Sequence, residues 1–182
     1  VDELNSRSIA ATGLVADVTQ QDEISAQIDR YEAHTGPIDI LVNNAGMQHR
    51  APLESFEADV FEQMIAVNLK AAFYTAKALS AFMIARQHGR IINIASVMSL
   101  LARPGIAPYT ATKGAIANLT KGMAADWAGY GLNCNAIAPG YFKTELNSAL
   151  VADEKFTAWL ERRTPAGRWG DVSDLVGTAV YL

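Results

Sequence analysis

No disulfide can form within this chain, because Cys134 is its one cysteine. Metal ligands are also in short supply: His34, His49 and His88 are scattered, with no cysteine or carboxylate at ligand spacing, so no metal site is expected. No apolar run approaches the ~20 residues that span a bilayer. Positive charge is not in excess, since 15 Lys and Arg against 19 Asp and Glu leave a formal net charge of −4. That balance gives no electrostatic footprint for nucleic acid or for an anionic membrane surface. Internal repeats, low-complexity tracts and interdomain linkers are absent as well. What these absences leave is a single domain over residues 1–182, expected in a reducing cytoplasm with small molecules as partners.

Half of the 182 residues are hydrophobic, enough for one sizeable core. Four short apolar segments read as strands: Gly13–Val18, Ile38–Asn43, Arg90–Ala95 and Leu132–Ile137. The last three are runs of Ile, Leu and Val rather than clean alternations, the pattern of strands covered on both faces. Helical patterns separate them. Asp22–His34 stops at Gly36-Pro37, Phe56–Arg86 is long, Tyr109–Tyr130 follows Pro108, and Asp171–Leu182 closes the chain. Strands alternating with helices predict an α/β fold with a doubly wound parallel sheet between two helical layers. The Phe56–Arg86 segment is apolar on more than one stripe, with Phe61, Met64, Phe73, Leu79 and Met83 among its residues. A helix that packs only on a sheet needs one apolar face. The surplus predicts a subunit interface and a homo-oligomer, either dimer or tetramer.

Ligands of open parallel sheets bind beyond the carboxyl ends of the strands. Polar and glycine residues concentrate there: Asp17 and Val18 end the first segment, and Asn43-Asn44-Ala45-Gly46 follows the second. Ser96 follows the third, and Pro139-Gly140 the fourth. The next helix opens with Y-T-A-T-K, placing Tyr109 and Lys113 four residues apart on one face. An ammonium beside a phenol favours the phenolate, so the pairing predicts a Tyr109 pKa below the usual value of about 10 and proton exchange near neutral pH.

N-N-A-G at 43–46, Asn68 in the following helix, Ser96 thirteen residues before Tyr109, Y-T-A-T-K at 109–113 and P-G-Y-F-K-T at 139–144 together resemble the short-chain dehydrogenase/reductase family. The resemblance runs along the whole chain and implies a Rossmann-like fold and hydride transfer between NAD(P)(H) and a secondary alcohol or ketone, with NADP favoured over NAD. It implies that Tyr109 is the general acid/base, that Lys113 lowers its pKa and holds the nicotinamide ribose, and that Ser96 donates to the substrate oxygen. Asn68 is implied to anchor a water that relays protons from Lys113. For the dinucleotide, the resemblance implies Asp17 and Val18 at the adenine, Asn43, Asn44, Ala45 and Gly46 along the adenosine, and Pro139, Gly140 and Thr144 at the nicotinamide end.

One family feature, the turn T-G-x-x-x-G-x-G that cradles the pyrophosphate, occurs nowhere in the sequence. The expectation is therefore that the 182 residues are a piece of a longer domain, incomplete at both ends, and that alone they are unstable and bind dinucleotide poorly. Stretches such as A-R-P-G-I-A-P, L-T-K-G-M-A-A-D-W-A and W-L-E-R-R-T-P-A-G-R-W-G resemble members of the family that act on D-gluconate and 5-keto-D-gluconate. A sugar-acid carboxylate calls for arginine, and Arg50 and Arg103 are the candidates, joining Ser96 and Tyr109 at the substrate. Alternatives are a dehydrogenase for a deoxy-keto-sugar acid, a 3-oxoacyl-carrier reductase, and a non-catalytic dinucleotide-binding scaffold. The retained Asn68, Ser96, Tyr109 and Lys113 weigh against the scaffold.

Overall fold

A computed structural model describes the whole chain, residues 1–182. A short helix α1 (Asp2–Ser6) and an extended stretch lead into α2 (Gln21–His34). Strand β1 (Ile40–Asn43) is followed by α3 (Ala58–Ile65), a π turn (Ala66–Lys70) and α4 (Ala71–Arg86), which together make one long helical run. Strand β2 (Gly89–Ile94), helix α5 (Ala107–Trp127) and strand β3 (Leu132–Ile137) complete the sheet. Helices α6 (Ser148–Val151), α7 (Glu154–Arg163) and α8 (Val176–Tyr181) end the chain.

The three strands run parallel in the order β1-β2-β3, with Asn43 in register with Asn93 and Ile91 with Cys134. Helices α4 and α5 lie over one face of this sheet. Leu79 and Met83 from α4 and Met123 from α5 pack with Ile91, Leu132 and Cys134 into the main core. Ile28 of α2 packs against the same cluster. Each large apolar side chain buried there contributes roughly 1.5–3 kcal/mol. Gly131, at φ +79°, makes the sharp return from α5 into β3 against the Gln87 backbone, where a Cβ would collide with the carbonyl. The bidentate pair of Arg86 and Glu32, at 2.7 and 3.1 Å, ties α4 to α2.

The Rossmann-like parallel architecture is thus present, and these residues form one of its two helical layers. Strand β1 is an edge, and on the uncovered face Ile40 is 61% and Val42 50% exposed. The expected strand Gly13–Val18 does not form. Its residues are extended but lie outside the sheet, with Val15 94% exposed. Backbone N–H and C=O groups need a neighbouring strand to make a ladder, and none stands beside this segment.

Much of the apolar surplus of residues 56–86 goes into the core, since Met64, Leu79 and Met83 are fully buried. Phe61 and Phe73 remain on the surface. No helix is long and apolar enough to cross a membrane.

Candidate active site

The carboxyl ends of β2 and β3 are stitched together. Ala95 N donates to Ile137 O at 2.8 Å, and Val97 N to Pro139 O at 3.0 Å. Between these rungs Ser96 is extended and buried, its hydroxyl accepting the Met98 N–H at 3.2 Å. Helix α5 then starts with Pro108 in its first turn, where a missing N–H costs nothing. That start places Tyr109 at the mouth of the site and Lys113 one turn deeper.

Lys113 is 6% exposed, and its ammonium donates to the Ile94 carbonyl at 2.6 Å. Nζ stands 5.8 Å from the Tyr109 ring centroid. Burial lowers the Lys113 pKa from 10.5 to about 8. The Tyr109 phenol is raised above 10, chiefly by burial, with Ser96 hydrogen bonding and the Arg50 charge acting in the opposite direction. The expectation of a lowered tyrosine pKa is therefore corrected. Residues four apart do share a helix face, but this face looks into the fold, where desolvation disfavours both charged forms.

Ser96 and Tyr109 stand between two cavities. The larger, about 300 Å³, is lined by Asn44, Gly46, Lys113, Pro139, Gly140 and Thr144 among others. The smaller, about 50 Å³, is lined by Arg50, Arg103, Gln48 and Tyr141. Both include Ser96, Tyr109, Gly140, Leu146 and Asn147. Arg50 donates to Gln48 Oε1 at 2.8 Å, and its pKa is lowered by burial and by the neighbouring Arg103 charge. Arg103 is braced by aromatic rings, its guanidinium 5.9 Å from Tyr141 and 5.7 Å from Phe156. Two cations drawn together without a carboxylate between them suit an anion.

The larger cavity carries Lys113, Thr144 and Asn44 on its wall, polar side chains of the kind that a dinucleotide site needs. A Cβ placed on Gly46 would stand 3.5 Å from Asn68 Oδ1 and 3.8 Å from Lys113 Nζ, ordinary contact distances that set this backbone directly against both side chains. Asn68 is buried within the π turn, its amide spent on Met47 and Thr112.

Not every anticipated residue reaches a cavity. Asn43 is engaged in a buried ladder: Thr75 Oγ1 donates to its Oδ1 at 2.6 Å, and its Nδ2 donates to Asn93 Oδ1 at 2.8 Å. Asn93 passes the chain on to Thr120 at 2.9 Å. Ala45 lines neither cavity, and neither do Asp17 and Val18. Asp17 accepts from Thr19 N and Oγ1 at 2.9 and 2.8 Å, which closes a turn and holds its carboxyl below the usual range. Sequence reasoning passed over Leu146 and Asn147, which line both cavities, and Tyr141. Their signal was faint: they sit in or just after P-G-Y-F-K-T, and a long-range tie brings that segment over the site. Gly170 N donates to Tyr141 O, and Lys143 N to Gly170 O, both at 2.9 Å.

The profile of the family described as "short chain dehydrogenase" matches residues 1–155. The chain belongs to that family. It is 55% identical over 177 residues to the gluconate 5-dehydrogenase of Gluconobacter oxydans (strain 621H), covering 97% of this chain and 69% of that protein. It is 47% identical over 182 residues to the 5-keto-D-gluconate 5-reductase of Escherichia coli (strain K12), covering 100% of this chain and 72% of the relative. Among solved structures, a gluconate 5-dehydrogenase from Burkholderia cenocepacia J2315 in complex with NADP and tartrate superposes with a TM-score of 0.97 at 56% identity. That superposition covers 100% of this chain and 71% of the other. In this short chain dehydrogenase Ser96 and Tyr109 line both cavities, and Lys113 lines the larger one.

Proposed function

We propose that this chain is an oxidoreductase that moves a hydride between NADP(H) and a sugar acid, interconverting D-gluconate and 5-keto-D-gluconate. The observation that carries this reading is the position of Ser96 and Tyr109, shared by a cavity that fits a dinucleotide and one that presents two arginines. The dinucleotide, when bound beside Lys113, supplies the hydride acceptor or donor. The chain's own residues do the rest. Arg50 and Arg103 receive the carboxylate and so orient the sugar acid along the smaller cavity. Ser96 donates to the reacting oxygen, where negative charge develops. Tyr109 Oη takes the hydroxyl proton during oxidation and returns it to the carbonyl oxygen during reduction. Lys113 places its ammonium by the ring with its proton anchored on Ile94 O, and Asn68 holds the backbone that borders the larger cavity. Burial raises the Tyr109 pKa, so removal of the hydroxyl proton by Tyr109, and with it gluconate oxidation, gains as pH rises.

NADP as the dinucleotide is supported by its presence in the complex of the 56%-identical relative. The surface positions of Phe61 and Phe73 support assembly into a homo-oligomer, and light scattering that finds a stable active monomer overturns that part. The lone buried thiol, Cys134, suits a reducing cytoplasm.

The test is selective. Arg50→Ala raises KM for gluconate by about tenfold, the size of one lost charge-assisted contact, with little change for a neutral polyol. Equal effects on both substrates overturn the sugar-acid assignment.

A further inference from the structure

Next to Lys113 lies a side chain that the catalytic roles leave unused. Thr112 is 0% exposed. Its hydroxyl has one proton, which goes to the Tyr109 carbonyl at 2.9 Å. The oxygen then accepts from Asn68 Nδ2 at 3.1 Å. The orientation of the Asn68 amide is not ambiguous, because the Met47 N–H can only donate. It meets Asn68 Oδ1 at 2.8 Å, leaving Nδ2 to donate to Met47 O at 2.9 Å and to Thr112. One amide thus clamps both backbone groups of Met47, much as a strand neighbour would, and its last N–H is anchored on α5.

Three segments distant in sequence meet at this point. The π turn Ala66–Lys70 presents Asn68 inward. Gly46 and Met47 line the larger cavity. The first turns of α5 carry Tyr109, Thr112 and Lys113. Ser99 Oγ adds a second tether by donating to the Lys113 carbonyl at 2.6 Å. Asn68 and Thr112 are both closed to water, so an N–H deprived of the threonine oxygen finds no replacement partner.

We propose that Thr112 is a positioning residue: its hydroxyl locks the Asn68 amide, which holds the Gly46–Met47 backbone at a set distance from Lys113 and preforms this wall of the dinucleotide site. The inference rests on reading the larger cavity as that site. Only a hydroxyl donates to Tyr109 O and accepts from Asn68 at once. Valine preserves the shape and supplies neither. Preorganisation shows in binding, because a loop that must be ordered by its ligand costs affinity.

The experiment measures the dissociation constant for NADPH by fluorescence in the wild-type enzyme, Thr112→Val and Thr112→Ser, with the ligand-free thermal midpoint of each alongside. Thr112→Val is expected to weaken NADPH about tenfold, as for one buried hydrogen bond, while Thr112→Ser stays within about twofold of wild type. A valine variant that binds NADPH within twofold of wild type overturns the proposal even if its midpoint falls, since Thr112 then serves packing alone. If Thr112→Val does not fold, Thr112→Ala against Thr112→Ser decides the same contrast. Failure to bind NADPH by wild-type enzyme that folds and carries the pyrophosphate-cradling turn defeats the dinucleotide reading itself, and this inference with it.

Discussion

On one side of Tyr109 the cavity wall is built from backbone and short buried side chains. On the other it is built from long side chains on loops. The Lys113 side is held by contacts of 2.6 to 3.1 Å through Ile94 O, Asn68, Met47 and Thr112, all within or against the ends of β1, β2 and α5. The arginine side depends on Arg50, reaching from the loop after β1 to Gln48, and on Arg103, resting against Tyr141 and Phe156. The difference shows how such a protein divides its labour. Proton and hydride chemistry needs atoms positioned within a few tenths of an ångström, which rigid elements provide. Choice of substrate needs only a few side chains on loops, which can be replaced without disturbing the sheet.

Three substitutions break or sharpen that contrast. The largest effect is expected on the rigid side. Tyr109→Phe removes the proposed proton carrier and lowers kcat by about 10²–10⁴-fold, the range of general acid/base catalysis, with little change in the thermal midpoint. A variant with normal turnover shows that another group carries the proton.

Lys113 comes next, read through its contribution to stability. Its folded pKa is about 8 against 10.5 for the free side chain. Between those values the unfolded chain binds more protons than the folded one, so stability rises with pH across that window. The deficit is fully present below it. A gap of this size corresponds to at most roughly 3.5 kcal/mol, and Lys113→Met is expected to remove the pH dependence. Thermal melts from neutral to alkaline pH check it, and an unchanged slope in the variant refutes the burial argument.

The smallest effect belongs to the loop side. Arg103→Lys keeps the charge and loses the planar contact with Tyr141 and Phe156, a cation–π interaction worth about 0.5–1 kcal/mol. KM for gluconate is expected to rise two- to fivefold with kcat nearly unchanged. A fall in kcat without a change in KM places Arg103 in the chemistry instead.

Much of this site could be read before any coordinates. Ser96, Tyr109 and Lys113 are close in sequence, on one strand end and one helix, and their spacing is a local property. Strands β1, β2 and β3 were visible as apolar runs because each finds its partners within the chain. The Gly13–Val18 segment is also short and apolar but has no ladder partner, so propensity alone could not make it a strand. The Asn43–Asn93–Thr120 ladder and the Asn68–Thr112 clamp join residues 27 to 50 positions apart, and a π turn leaves no periodic trace that would announce the clamp.

The sequence by itself determined which functional groups are available, namely a hydroxyl after a strand and a phenol and an ammonium at the start of the next helix, because residue type and short-range spacing are written directly in the chain. Tertiary structure alone decided how those groups ionise and which atoms they face. The sign of the Tyr109 shift follows from what covers the helix face, and that cover is assembled from the loops after β1, β2 and β3. Desolvation depends on every neighbour in space, and most of those neighbours are remote in sequence.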